Sequence, residues 1–311
     1  MEIILHLGAH RTATTSFQHY MCANAATLAA QGLGVWGPDV TRDGILTGVI
    51  PLPGGESAVR QMDRARGRIA LRLAQARKAG LRRIVVSDEN MIGAARRNLR
   101  QGCLYDGAGE RMARFVHAFD GRITRVAMSI RGQDAWWSSA LAYGVARGHR
   151  LPQPDELDRL VTVNRHWREV IRDLACALSG VETVVLPHET HAARPEDRLR
   201  HLSGLDDVPR RASRVWLNRA PDLGALRQTV VERGGDAAWL AEQDGRWQPF
   251  DRYQKQALQE AYADDLFWLS AGADGLARLI EETGPAEAGK HPPDGRTTRG
   301  QENGIEERRL A

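Results

Sequence analysis

Cysteine is scarce. Cys22, Cys103 and Cys176 are odd in number, far apart and never in a C-x-x-C pair. That excludes a disulfide framework and a cysteine-based zinc site, and it fits a reduced cytoplasm in which each thiol is buried and inert. Long apolar runs are missing as well: none approaches the roughly 20 residues that span a bilayer. Met1 leads straight into a short apolar stretch with no basic region before it, so a signal peptide is not expected either. Charge of one sign is also absent, since 43 Lys+Arg stand against 39 Asp+Glu for a net +4, with the arginines scattered among acidic residues. A nucleic-acid surface needs a concentrated basic stripe. A basic pocket for one anionic ligand is enough to use this excess.

What is present begins at the first residues. Ile3-Ile4-Leu5-His6-Leu7 is a short apolar run, Gly8-Ala9-His10-Arg11-Thr12-Ala13 a small-residue turn, and Thr14 onward has helical spacing. Strand, tight loop and helix start form an anion-binding arrangement, because the first N–H groups of a helix lack intrahelical partners and sit at its positive end. Thr14, Thr15 and Ser16 add hydroxyl donors, and Arg11 adds a cation. Aligned on G-x-x-x-x-G-K-[ST] from Gly8, however, Ala13 falls on the second glycine and Thr14 on the lysine. The cation has moved three residues earlier, to Arg11, where it would face the bridging oxygen of a phosphosulfate.

The string His6-x-Gly8-x-His10-Arg11-Thr12-x-Thr14-Thr15-x-x-Gln18 resembles the opening of bacterial sulfotransferase-like proteins, relatives of the sulfotransferases that use PAPS (3′-phosphoadenosine-5′-phosphosulfate). The resemblance implies that Arg11, Thr12, Ala13, Thr14 and Thr15 hold the 5′-phosphosulfate, the last four partly through backbone N–H groups. Two departures stand out: the family usually has lysine at the position of Arg11 and glycine at that of Ala13. Guanidinium is planar and bulkier than ammonium. Alanine is tolerable only where φ stays negative, since a left-handed L-residue costs roughly 1–2 kcal/mol.

A second signature is Arg131-Gly132-Gln133-Asp134-Ala135-Trp136-Trp137-Ser138-Ser139. It resembles the family element in which an arginine at a strand end and a serine eight residues later grip the cofactor's 3′-phosphate, implying Arg131 and Ser139 for that role. Guanidinium offers parallel donors to phosphate oxygens. Trp136 and Trp137 read as core and pocket wall. Sulfuryl transfer to a hydroxyl or amine also needs a proton acceptor. Asp88 and Glu89 follow the buried-strand pattern of residues 82–87, where ligands gather in open α/β sheets. Glu89 is the first choice as base by its resemblance to the bacterial branch, with His10 and His6 as rivals. His6, alternating with apolar neighbours, is read as an interior histidine.

The expected fold is α/β: a P-loop-type three-layer arrangement, with a mainly parallel sheet flanked by helices and extra helices near the C-terminus. Strands are expected at 2–7, 82–87, 123–130 and 183–187, and helices at 15–30, 56–79, 110–119, 133–147, 155–179, 222–232 and 250–269. Residues 31–55 read as a Gly/Pro-rich loop shaping an acceptor mouth. His188, Glu189 and His191 lack the helical i, i+4 spacing of a zinc site, so no metal is expected. Val215 to Pro221 resembles a short Asn-Arg-x-Pro patch of the same family, a lid or cofactor-side contact by analogy. Residues 1–283 form one domain in this reading. Residues 284–311, polar and Pro/Gly-rich, form a disordered tail.

The implied activity is transfer of a sulfuryl group from PAPS, leaving PAP, to a hydroxyl or amine of a glycan, lipid or small metabolite in the cytoplasm. The nucleic-acid and membrane classes are set aside, and no pattern specifies an oligomer. A non-catalytic nucleotide- or anion-binding relative is the alternative. A P-loop kinase follows behind it, lacking the lysine and an obvious Walker-B aspartate.

Overall fold

The computed structural model describes residues 1–281 except 55, 239 and 241–244. Six strands, β1 (Glu2–His6), β2 (Leu33–Trp36), β3 (Arg83–Ser87), β4 (Arg125–Ile130), β5 (Glu182–Pro187) and β6 (Arg278–Leu279), form one sheet. Their order is β2-β3-β1-β4-β5-β6, and every pairing is parallel. Strands covered on both faces read as continuous apolar runs, as Ile84-Val85-Val86 does here. Side chains of β1 alternate between two cores: Ile3 and Leu5 join one cluster, and Ile4 joins the other with Phe17, Tyr20 and Met21. That alternation makes the fold three-layered. Among the described residues no helix is long and apolar enough to cross a membrane.

Helices α1 (Thr14–Ala23), α2 (Ala25–Ala30), α3 (Pro38–Val40), α4 (Ala58–Lys78), α5 (Ala95–Gln101), α6 (Ala108–Ala118) and α7 (Gln133–Ala146) occupy the first half. The second half holds α8 (Pro154–Thr162), α9 (Trp167–Ala177), α10 (His188–His191), α11 (Pro195–Ser203), α12 (Leu223–Glu232) and α13 (Arg252–Ser270). From β1 the chain runs out to edge strand β2, returns to β3 beside β1, then crosses to β4 on β1's other flank. The crevice at the carboxyl end of β1 is therefore the topological switch point. His6, Ser87 and Ala127 stand level across it.

Several expectations are corrected. Residues 31–55 hold β2 and α3 rather than only loop; β2 is four residues long between Gly32 and Gly37, too short for its pattern to stand out. Helix 15–30 breaks at Asn24, whose Nδ2 donates to the carbonyls of Tyr20 and Arg211. Helix 155–179 is two helices, since Val163 is extended and a capping box of His166 and Glu169 restarts the chain at Trp167. α11 lies in a stretch for which no helix is expected, although Pro195 at N1 with Glu196 and Asp197 behind it is a legible start. Cys22 and Cys176 are exposed rather than buried, and all three thiols are free. The expected tail, residues 284–311, lies outside the described residues.

Candidate active site

The loop after β1 continues along β4, with Leu7 N–H donating to the Ala127 carbonyl at 2.8 Å and Ala9 N–H to that of Ser129 at 3.1 Å. It then turns sharply. Arg11 (φ 66°) and Ala13 (φ 62°) are both left-handed, so the condition under which alanine would be comfortable is not met. Each such residue costs roughly 1–2 kcal/mol, and strain of this kind persists where surrounding structure over-determines it. Ala13 starts α1 with no side-chain cap, leaving the first-turn N–H groups facing outward for an acceptor. Gly8 is needed for close approach: a Cβ there would lie 2.5 Å from Thr14 Oγ1 and 2.9 Å from His6 Cε1.

The loop hydroxyls differ from one another. Thr12 Oγ1 donates to the Ala9 carbonyl at 2.6 Å and Thr14 Oγ1 to that of Gly8 at 3.2 Å, so both stabilise the turn from within. Ser16 Oγ accepts the N–H of Leu217 at 2.8 Å, which docks the Val215 to Pro221 patch onto the start of α1. Half-buried Thr15 carries no such internal bond among the described residues.

Arg11, Arg131 and Ser139 converge. Arg11 Nε donates to Ser139 Oγ at 3.0 Å, and Arg131 Nη1 donates to the Arg11 carbonyl at 3.0 Å. Arg11 thus turns toward the serine of the second signature instead of lying along its own loop. Its guanidinium and that of Arg147 also cover the Tyr143 ring, at 4.8 and 3.4 Å from the centroid. Neither Arg11 nor Arg131 makes an ion pair among the described residues. Burial, then the mutual repulsion with Arg131, lowers the Arg11 pKa to about 10, and burial with Arg246 lowers that of Arg131 to about 10. Arg246, in a polar stretch with no motif, is a charge that sequence reasoning missed. Trp136 and Trp137 are buried as expected, and Trp136 Nε1 donates to the His10 carbonyl at 2.6 Å.

On the other flank stand the candidate bases. Glu89 lies in a short helical turn, Glu89–Met91; its Oε1 accepts from Arg42 Nη2 at 2.9 Å and its Oε2 from Gln18 Nε2 at 3.0 Å. Arg42 comes from the segment expected to shape the acceptor mouth. Asp88 is held by Thr41 Oγ1 at 2.7 Å and by Arg42 at 2.9 and 3.1 Å. Burial alone would raise its carboxyl, but these bonds outweigh it and hold it below the ordinary range. His10 N–H donates to Tyr105 Oη at 2.9 Å, and the same hydroxyl lies 2.9 Å from Nδ1. Nε2 faces Asn90 Oδ1 at 3.3 Å. These partners assign the tautomer with the proton on Nε2. Burial lowers the His10 pKa against the opposing pull of Glu89. His6 is fully buried, with Nδ1 2.8 Å from Ser87 Oγ, and plays the interior role expected of it. Behind Asn90 opens a cavity of about 460 Å³ lined in part by Ile92, Asn98, Tyr105 and Arg111.

Beneath the loop lie residues that the sequence did not single out for it. Arg198 of α11 is 1 % exposed, donates from Nη2 to the Thr12 carbonyl at 3.3 Å, and lies 5.1 Å from the Phe17 ring centroid. His188 begins α10, and its pKa is held far down by burial and then by Arg131 and Arg198. Glu189 accepts from Gly132 N–H at 2.9 Å and from Tyr262 Oη at 2.8 Å, tying the β4 tip to α13. His191 Nε2 meets the Ile280 carbonyl at 3.1 Å. Among the described residues no three His, Cys, Asp or Glu side chains gather as metal ligands.

No family model, curated protein or solved structure matches the chain.

Proposed function

We propose that this chain is a PAPS-dependent sulfotransferase acting on a hydroxyl or amine of a small-molecule or glycan acceptor. The observation that carries it is the convergence of Arg11, Arg131 and Ser139, from segments some 120 residues apart, beside an uncapped helix N-terminus and with no ion pair to a carboxylate among the described residues. Cations without ion-pair partners, gathered at the carboxyl ends of the central strands β1 and β4, suit a ligand with two separate anionic groups. Arg131, Ser139 and Arg11 would hold the 3′-phosphate, and the Ala13 to Ser16 N–H groups with Thr15 the 5′-phosphosulfate. The donor supplies an activated sulfuryl group whose bond to the 5′-phosphate breaks as its bond to the acceptor oxygen or nitrogen forms.

The chain's own part is orientation, charge stabilisation and movement of one proton. Glu89 is the proton acceptor: its two oxygens are oriented by Arg42 and Gln18 and keep lone pairs for an incoming hydroxyl. His10, with Nδ1 engaged by Tyr105, orients the loop and Asn90. The cavity behind Asn90 would seat the acceptor. The three free thiols fit a reducing cytoplasm as the place of action. A non-catalytic relative is the second reading, favoured by the firm hold of Arg42 and Gln18 on both Glu89 oxygens.

Calorimetric titration with PAP, ATP and ADP, with and without magnesium, tests the proposal. Magnesium-independent PAP binding that collapses in Arg131→Ala is expected. Preference for ATP with magnesium, or no binding of PAP, overturns it.

A further inference from the structure

Arg198 is a buried charge that the proposed chemistry leaves without a role. Its side chain is fully buried between α11 and the underside of the loop. Nη2 reaches the Thr12 carbonyl, and the guanidinium lies over the Phe17 ring. Nε and Nη1 are shielded from solvent and have no hydrogen-bond partner among the described residues. No carboxylate pairs with it there. Its charge disfavours the cationic form of His6, His188 and His191. The first two are not incidental neighbours: His6 Nε2 and His188 Nδ1 are also buried and unpartnered.

A cation taken out of water without a partner is strongly disfavoured, and one weak contact with a carbonyl and one with an aromatic face do not compensate it. Such a charge is retained where something binds that neutralises it. Among the described residues the polar backbone group it bonds is the Thr12 carbonyl, in the loop that leads into the uncapped N-terminus of α1. The loop itself holds no lysine, and its single cation, Arg11, turns away to Ser139.

We infer that Arg198 is the buried counter-charge of an oxyanion, of the sulfate or phosphate class, held at this loop, and that it replaces from beneath the charge a loop lysine would supply from within. The inference goes deeper into the site proposed above, resting on its anion-binding half and not on the identity of the sulfuryl donor. Arg198 is a positioning residue: it fixes the Thr12 carbonyl and raises the local potential through low-dielectric surroundings.

The test compares the full chain with Arg198→Met and Arg198→Lys. Thermal midpoints are measured without anion, with millimolar sodium sulfate against sodium chloride of equal ionic strength, and with PAP. Wild type is expected to be stabilised by sulfate in a saturable way. Arg198→Met should be as stable as wild type or more stable without anion, because an unpaired charge has gone, and should lose at least about tenfold in sulfate affinity. Arg198→Lys should keep part of the response. A merely structural guanidinium gives the opposite pair of results. If Arg198→Met is less stable and still responds to sulfate, if it does not fold, or if wild type responds to neither probe, the inference is overturned. Wild type responding to sulfate but not to PAP would sink the PAPS proposal, and the Met comparison would still decide this one.

Discussion

At the residue scale, two substitutions separate strain from chemistry. Ala13 sits at φ 62°, where glycine avoids the clash of Cβ with the following carbonyl. Ala13→Gly is therefore expected to stabilise the fold by about 1 kcal/mol, after allowing for glycine's greater freedom when unfolded. Urea unfolding checks it, through a higher midpoint with an unchanged slope. A lower midpoint would mean that the Ala13 methyl makes contacts that outweigh the strain. Glu89→Gln keeps the shape of the side chain and one accepting oxygen, so it retains at most one of the bonds from Arg42 and Gln18, and it removes the proton acceptor. Turnover of any acceptor found should fall by about 10²–10⁴ while PAP affinity is unchanged. Equal loss of both would make Glu89 a support of the loop instead. Candidate residues were legible to different degrees. Arg131 and Ser139 could be named because the nine-residue stretch they bound, from strand end to helix, resembles the family's 3′-phosphate element. Arg198 and Arg246 could not, because each enters from a segment whose local pattern is simply polar.

At the element scale, Asp265 on α13 joins pieces far apart in sequence. Its Oδ2 accepts from Trp167 N–H at 2.9 Å and Gln133 Nε2 at 3.1 Å, and its Oδ1 from Arg168 N–H at 3.2 Å. The start of α9 and the start of α7 thus share one carboxylate, and Trp167 Nε1 in turn donates to the Arg131 carbonyl at 2.7 Å. Asp265→Ala strands these donors in a buried place and is expected to cost about 1–3 kcal/mol in urea unfolding, with a weaker secondary loss of PAP affinity through Arg131. An unchanged midpoint would show that water replaces the carboxylate. This clamp was not legible in the sequence, where α13 showed only helical periodicity. The same limit applies to the strands. β1, β3, β4 and β5 are strands of five or six residues that announced themselves through short apolar stretches such as Ile3-Ile4-Leu5 and Ile84-Val85-Val86. β6 has two residues, Arg278 and Leu279, and pairs only because β5 is already in place. Apolar residues at helical spacing likewise flank residues 163–166 on both sides, Leu157, Leu160 and Val161 before and Trp167, Val170 and Ile171 after, so they gave no notice of the break between α8 and α9.

At the scale of the whole molecule, the buried imidazoles set how stability follows pH. His6, His10, His166, His188, His191 and His201 all have lowered pKa values, with burial the leading cause in each. Unfolded, they titrate near about 6.5. Between that value and their lower folded values, the unfolded chain binds protons that the folded chain does not. Stability therefore rises with pH across this window and is lost as pH falls below about 6.5, with a slope of up to about 1.4 kcal/mol per pH unit for each fully affected imidazole. Asp265 acts in the opposite sense. Burial pushes its pKa up to about 6, so the folded state takes up a proton before the unfolded one does, and this group adds stability on acidification. One carboxyl does not offset several imidazoles, of which His6 and His188 are shifted furthest. The urea midpoint is expected to be clearly lower at pH 5.5 than at pH 7.5. Asp265→Ala should steepen that decline, because the opposing group has gone. A midpoint that stays level or rises on acidification would mean that the loop histidines are solvated and chargeable in the folded state, and that the ground beneath the loop is wetter than its packing implies.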